Sequence, residues 1–172
     1  NNELLKVSEL TDFLIIQIFK YSSSTIAIEN IRLDNLNLKN EALNISCNIN
    51  TRILWNGPNN WLLVSSKKET IKEINEKLPI TDFAITDISH SRAIIQIEGN
   101  NTKEILKKGC PFNFNELKKD TCLNSIYKEM SDTIDMLDDN PDKVIMFTLR
   151  SFGESFYHSI TDACLEFGYK GV

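Results

Sequence analysis

Asp87, Ser89 and His90 fall within one tetrapeptide, Asp-Ile-Ser-His, and carry the side chains of nucleophilic catalysis. In such a trio the histidine takes the serine proton while the aspartate orients the ring. The spacing works against that use. Neighbours on a strand point to opposite faces, so Ser89 and His90 do not meet as nucleophile and base. The better reading is a strand end whose polar side chains bond backbone groups at a turn. His158, the second of two histidines, belongs on the outer face of a helix, as a surface or interface residue. General acid–base chemistry therefore has few candidates.

Other reactive side chains also lack the right pattern. Asp132, Asp135, Asp138, Asp139 and Asp142 crowd one stretch, without the central Gly and closing Glu of an EF-hand loop. They read as a solvated acidic hairpin, and Glu98, before Gly99, reads as solvated too. Cys47, Cys110, Cys122 and Cys164 are scattered, with no Cys-x-x-Cys pair and no nearby histidine, which disfavours tetrahedral zinc. Gly57, Gly99, Gly109, Gly153, Gly168 and Gly171 are isolated, so no dinucleotide loop is present. The expectation is a chain with no catalytic, cofactor-binding or metal-binding residue of its own.

Composition narrows the class further. At 172 residues, 41% hydrophobic and 25% charged, the chain suits one domain or two small lobes with a core that needs no metal or disulfide. A net charge of −5 leaves no basic stripe to displace counterions from phosphates. Lys67-Lys68, Lys107-Lys108 and Lys118-Lys119 each have acidic neighbours and read as solvated faces. Residues 1–20 lack a basic start, and Phe13-Leu14-Ile15-Ile16 is broken at Gln17, so no signal peptide is visible. No apolar run reaches the ~20 residues of a membrane span. The expected location is a reducing cytoplasm, with neither nucleic acid nor membrane as partner.

The elements that must position these residues follow from periodicity. Residues 12–20 and 25–28 read as strands, 29–44 have mixed periodicity, and 45–50 and 52–56 read as short strands. Gly57-Pro58-Asn59-Asn60 is turn chemistry between Trp55 and Trp61, predicting a hairpin. Glu69–Leu78 is an amphipathic helix with Ile71, Ile74 and Leu78 on one face, stopped by Pro79. Strands over 84–88 and 92–98 follow, then a helix over 102–108 with Gly109 as a left-handed cap. Strands at 122–130, 133–137 and 143–149 are separated by turns at Ser131-Asp132 and Asn140-Pro141-Asp142. Ser151-Phe152-Gly153-Glu154 predicts a capping box for a last helix. Its stripe is Phe152, Phe156, Ile160, Ala163, Cys164 and Phe167, closed by Gly168. Helices segregated against largely antiparallel sheet make an α+β protein. Most aromatics read as core, but Phe112-Asn113-Phe114 after Pro111 is the candidate docking loop, because buried aromatic anchors dominate interface energetics.

Three segments carry a resemblance over residues 50–168. They are Ile85–Phe112 (ITDISHSRAIIQIEGNNTKEILKKGCPF), Arg52-Ile53-Leu54-Trp55-Asn56-Gly57-Pro58 with Trp61-Leu62-Leu63-Val64, and Phe147-Thr148-Leu149-Arg150-Ser151-Phe152. In order and spacing they resemble the gamma subunit of heterotetrameric sarcosine oxidase, a small relative of the aminomethyltransferase (glycine cleavage T-protein) fold. The resemblance implies one domain over 1–172, divisible into sub-lobes 1–90 and 91–172. Each would be a ferredoxin-like lobe of mostly antiparallel sheet with helices on one face.

The resemblance also implies an oxidoreductase complex that demethylates sarcosine to glycine, captures the one-carbon unit on tetrahydrofolate and forms hydrogen peroxide. Its alpha subunit carries NAD and a folate-binding domain, beta carries FAD and FMN, and delta carries zinc. The gamma subunit holds none of these and buttresses alpha. Phe112, Phe114 and His158 are then the candidate partner-binding residues, and the chain alone is expected to be inactive. Three alternatives stand beside this: the equivalent subunit of an N-methylglutamate dehydrogenase or a related N-methyl amino-acid oxidoreductase, a free-standing folate-binding one-carbon module, and an unrelated interaction protein.

Overall fold

The computed structural model describes residues 4–172. In chain order the elements begin β1 (Leu5–Leu10), β2 (Leu14–Lys20), β3 (Arg32–Leu33), β4 (Leu36–Asn37), β5 (Ile45–Cys47), β6 (Thr51–Gly57) and β7 (Asn60–Ser65). Then come α1 (Thr70–Lys77), β8 (Phe83–Asp87), β9 (Arg92–Glu98) and α2 (Thr102–Lys107). The last are β10 (Thr121–Tyr127), β11 (Met130–Asp139), β12 (Asp142–Leu149), α3 (Gly153–Cys164) and β13 (Tyr169–Gly171). They form an α+β protein in two units. One spans residues 12–90, and the other joins the segment ending at Thr11 to residues 91–172. The chain passes from one unit to the other at 11/12 and again at 90/91. β1 leaves the first sub-lobe because its pairing partners, β9 and β13, lie in the second.

The 12–90 unit is a five-stranded antiparallel sheet in the order β5-β6-β7-β2-β8. Alternation sends Ile16, Ile18, Ile53, Trp61 and Leu63 to one face, where Ile74 of α1 and Leu78 just after the helix cover them together with Leu33 and Leu38. Leu62 and Val64 point to the opposite face and are buried as well. That is why β7 reads as an unbroken apolar run instead of an alternating one. The β6–β7 hairpin turns at Pro58-Asn59, with Gly57 at φ 145° and Asn59 at φ 55°.

Residues 29–44, whose periodicity was mixed, contain a second hairpin. Asp34 and Asn35 take φ of 47° and 63°, the two left-handed residues of a type I′ turn, and join β3 to β4. The Asp34 carboxylate accepts hydrogen bonds from Thr51 Oγ1 at 2.7 Å and Asn48 Nδ2 at 3.0 Å, with Lys67 Nζ at 3.2 Å. Burial pushes its pKa up, but these three donors outweigh burial and hold it below the ordinary range. Residues 25–28 do not pair as a strand. The segment runs into a 3-10 turn at Ile28–Asn30, with Ile26 and Ile28 packed against the core.

The second unit is a six-stranded sheet in the order β10-β11-β12-β9-β1-β13, antiparallel except where β13 runs parallel to β1. Ile105 and Leu106 of α2 and Phe156, Ile160, Ala163 and Cys164 of α3 share one core with Ile95, Ile97, Ile134, Met136, Val144 and Met146. Both helices therefore lie on one face of the sheet. Full burial of each large apolar side chain contributes about 1.5–3 kcal/mol. The α3 stripe is shorter than its sequence implies, because Phe152 is 42% exposed.

Three local expectations are corrected in this unit. The capping box does not form. A 3-10 turn at Arg150–Phe152 precedes α3, the Gly153 amide donates to the Arg150 carbonyl, and no side chain caps the helix. Gly109 is not a left-handed cap. A Cβ there would stand 2.6 Å from the Tyr127 ring, so the position needs glycine for close approach. The left-handed glycine is Gly168, at φ 75°, whose amide bonds the Cys164 carbonyl at the end of α3. Finally, the β10–β11 turn is Lys128-Glu129, both at positive φ, and not Ser131-Asp132. That moves Ser131 and Asp132 from turn into strand and Lys128 and Glu129 from strand into turn.

Candidate functional site

At the end of β8 the Asp87 carboxylate accepts two hydrogen bonds from Ser89, one from its amide at 2.9 Å and one from its hydroxyl at 2.6 Å. The Ser89 oxygen in turn accepts from the Ile15 amide at 2.9 Å. The Ser89 hydroxyl bond and then its amide hold the Asp87 pKa below the usual carboxylate range. Asp87 and His90 are exposed. The serine is committed as donor and acceptor, stitching the β8 exit to β2, as the strand-end reading requires. Ser89→Ala should cost about 1–2 kcal/mol in urea unfolding, because the Ile15 amide loses its acceptor. Any activity of an assembly containing the variant should be unchanged.

The candidate docking residues separate. Phe114 is 1% exposed and belongs to the core under α2 and α3. Its ring is spent on folding and leaves almost no surface exposed. Phe112 is half-buried and meets Phe114 edge to face, with ring centroids 5.5 Å apart. His158 is exposed on α3 beside exposed Tyr157. These two surface positions are the ones left able to touch another chain.

The acidic stretch is not a uniformly solvated hairpin. Asp138, Asp139 and Asp142 flank the β11–β12 turn and face lysines, with Lys103 Nζ 3.3 Å from Asp142 and Lys119 Nζ 3.7 Å from Asp138. Asp132 and Asp135 sit inside β11 and are buried. The signal was present: with the turn at 128–129, Asp132 shares a face with Ile134 and Met136. Glu98 is likewise not simply solvated. It lies between Lys6 at 2.6 Å and Lys143 at 3.1 Å on the flanking strands, and these lysine bonds lower its pKa. Among the described residues no group of three or more His, Cys, Asp or Glu side chains could hold a metal ion. No helix among them is long and apolar enough to cross a membrane.

No family model matches the sequence, and no curated protein matches it. Solved structures do. A chain of the heterotetrameric sarcosine oxidase from Corynebacterium sp. U-96, in complex with pyrrole 2-carboxylate, superposes with a TM-score of 0.86 at 18% identity, over 100% of this chain and 89% of that one. The glycine cleavage system aminomethyltransferase T from Bartonella henselae superposes with a TM-score of 0.71 at 10% identity, over 99% of this chain and 48% of that one. The chain thus spans about half the length of the aminomethyltransferase. It has the aminomethyltransferase-like α+β fold, in the form found in a chain of heterotetrameric sarcosine oxidase.

Proposed function

We propose that this chain is the gamma-type, non-catalytic subunit of a heterotetrameric sarcosine oxidase, oxidatively demethylating sarcosine to glycine with tetrahydrofolate capture of the one-carbon unit and hydrogen peroxide formation. The observation that carries the reading is the end-to-end superposition on a sarcosine oxidase chain of nearly the same length. The geometry adds support, since the side chains best suited to chemistry are engaged in folding: Ser89 with Asp87 and Ile15, Glu98 with two lysines, Thr51 with Asp34. In this reading alpha, beta and delta subunits supply FAD, FMN, NAD, zinc and tetrahydrofolate. This chain binds none of them and buttresses the folate-binding part of alpha, with Phe112 and His158 among its contacts. The flavin subunit sets the substrate, so an N-methylglutamate dehydrogenase of the same architecture would use this subunit in the same way.

The likeness to aminomethyltransferase T over 99% of the chain favours a second reading, a free-standing folate-binding one-carbon module. Two measurements divide them. Affinity-tagged chain expressed in its native cell should recover flavin- and zinc-containing partners, and the purified chain should bind tetrahydrofolate no tighter than millimolar. Micromolar pterin binding by the chain alone, without partners, would establish the module instead.

A further inference from the structure

Asp132 is 5% exposed, and neither of its carboxylate oxygens has a hydrogen-bond partner. Register places Ser125 of β10 on one side of it and Thr148 of β12 on the other. The hydroxyls around it are committed elsewhere. Ser125 donates to the Ile126 carbonyl, Thr148 to Ser131 and Tyr127 to Ile105. A carboxylate buried without donors strongly disfavours its charged form, whereas the neutral acid costs far less to bury. Burial accordingly raises its pKa to about 7.

The titratable groups facing this position offer no compensating charge. From the loop after α2 comes Cys110, pushed up to about 12 by burial and then by Asp132 itself. From β10 comes Tyr127, also raised, first by burial. From α3, Cys164 and Asp162 act on Tyr127, and Lys128 at the hairpin turn lies 3.9 Å from Asp162. β12 and β9 present Thr148 and Ala93 in this row.

An ionised Asp132 must be relieved by water, and the sheet offers one inexpensive route. β10 is an edge strand paired only with β11. The turn that closes this pair holds Lys128 and Glu129 at φ of 44° and 71°, a conformation unfavourable for residues with a Cβ. β12, on the other side, is held by ladders to both β11 and β9. We propose that Asp132 is a proton-operated latch on the β10–β11 hairpin: its neutral carboxyl keeps β10 docked, and its ionisation loosens that edge strand.

The direction in pH follows from linkage. The folded chain keeps a proton that the unfolded chain gives up near the ordinary aspartate value of 3.8. Stability from this site is therefore complete below that value, falls as pH rises toward about 7, and is level above it.

Amide hydrogen exchange on the intact chain tests the latch. After correction for intrinsic exchange, protection at Leu123 and Ser125, the β10 amides that face β11 in the ladder, should fall about tenfold from about pH 5.5 to about pH 8. Asp132→Asn should flatten that profile, and Ile145 in β12 should change little in either protein. Matching profiles in both proteins, or equal loss across the whole sheet, would overturn the proposal. A direct carbon-13 titration of the Asp132 carboxyl in the unsubstituted chain needs no variant. A midpoint near 7 supports the latch, and one near 4 sinks it.

Discussion

Phe114→Ala should cost the second unit about 3–5 kcal/mol of stability, the range for removing a buried phenylalanine ring. The ring is 1% exposed and shares its core with Leu117, Tyr127 and Leu106. Its edge-to-face neighbour Phe112 cannot swing in to fill the space without leaving its own half-buried seat. Urea unfolding of the two proteins gives the difference. Phe112→Ser is the contrasting variant, expected to lose only about 1 kcal/mol and to lower recovery of partner chains. If Phe114→Ala instead left stability intact and abolished partner recovery, the ring would be an interface anchor after all.

Gly109→Ala is the second large effect. The added methyl would stand 2.6 Å from two carbons of the Tyr127 ring. That ring cannot retreat: it is fully buried, lies edge to face with Phe156 at 5.8 Å, and donates its hydroxyl to the Ile105 carbonyl at 3.2 Å. Overpacking of this kind costs about 1–3 kcal/mol, and so constrained a neighbour places the expectation at the upper end. A double-mutant cycle isolates the cause. In a Tyr127→Leu background the same alanine should cost less than about 1 kcal/mol, because the clash is gone. An undiminished cost there would mean that glycine is needed for backbone reasons alone.

Long periodic elements were the legible part of this sequence. α1 with Ile74 and Leu78, the Trp55–Trp61 hairpin, β9 and the body of α3 follow directly from spacing and turn chemistry. Failures came where a turn used atypical residues. Lys128 and Glu129 are poor predictors of a left-handed pair, so local pattern points to a β10–β11 turn three residues late and to a solvated Asp132. Asp34-Asn35 is better turn chemistry, but β3 and β4 are two residues each, too short for alternation to register. β1 and β13 depend on pairing between residues far apart in the chain, which local pattern cannot reveal. Among the candidate site residues, Ser89 was legible from strand geometry. Phe114 was not, because a phenylalanine after proline reads alike in a loop and in a core.

The placement of β1 sets a timetable for biosynthesis. Leu5 and Val7 are synthesised before the 12–90 unit, yet their neighbours on β9 and β13 are encoded after the whole of it. At ~5–20 residues per second, the gap between β1 and β13 amounts to roughly 10–30 s during which β1 has no complete set of neighbours. The intervening unit needs nothing encoded after residue 90 to close its own sheet. The intervening unit can therefore close while β1 still waits for β9 and β13.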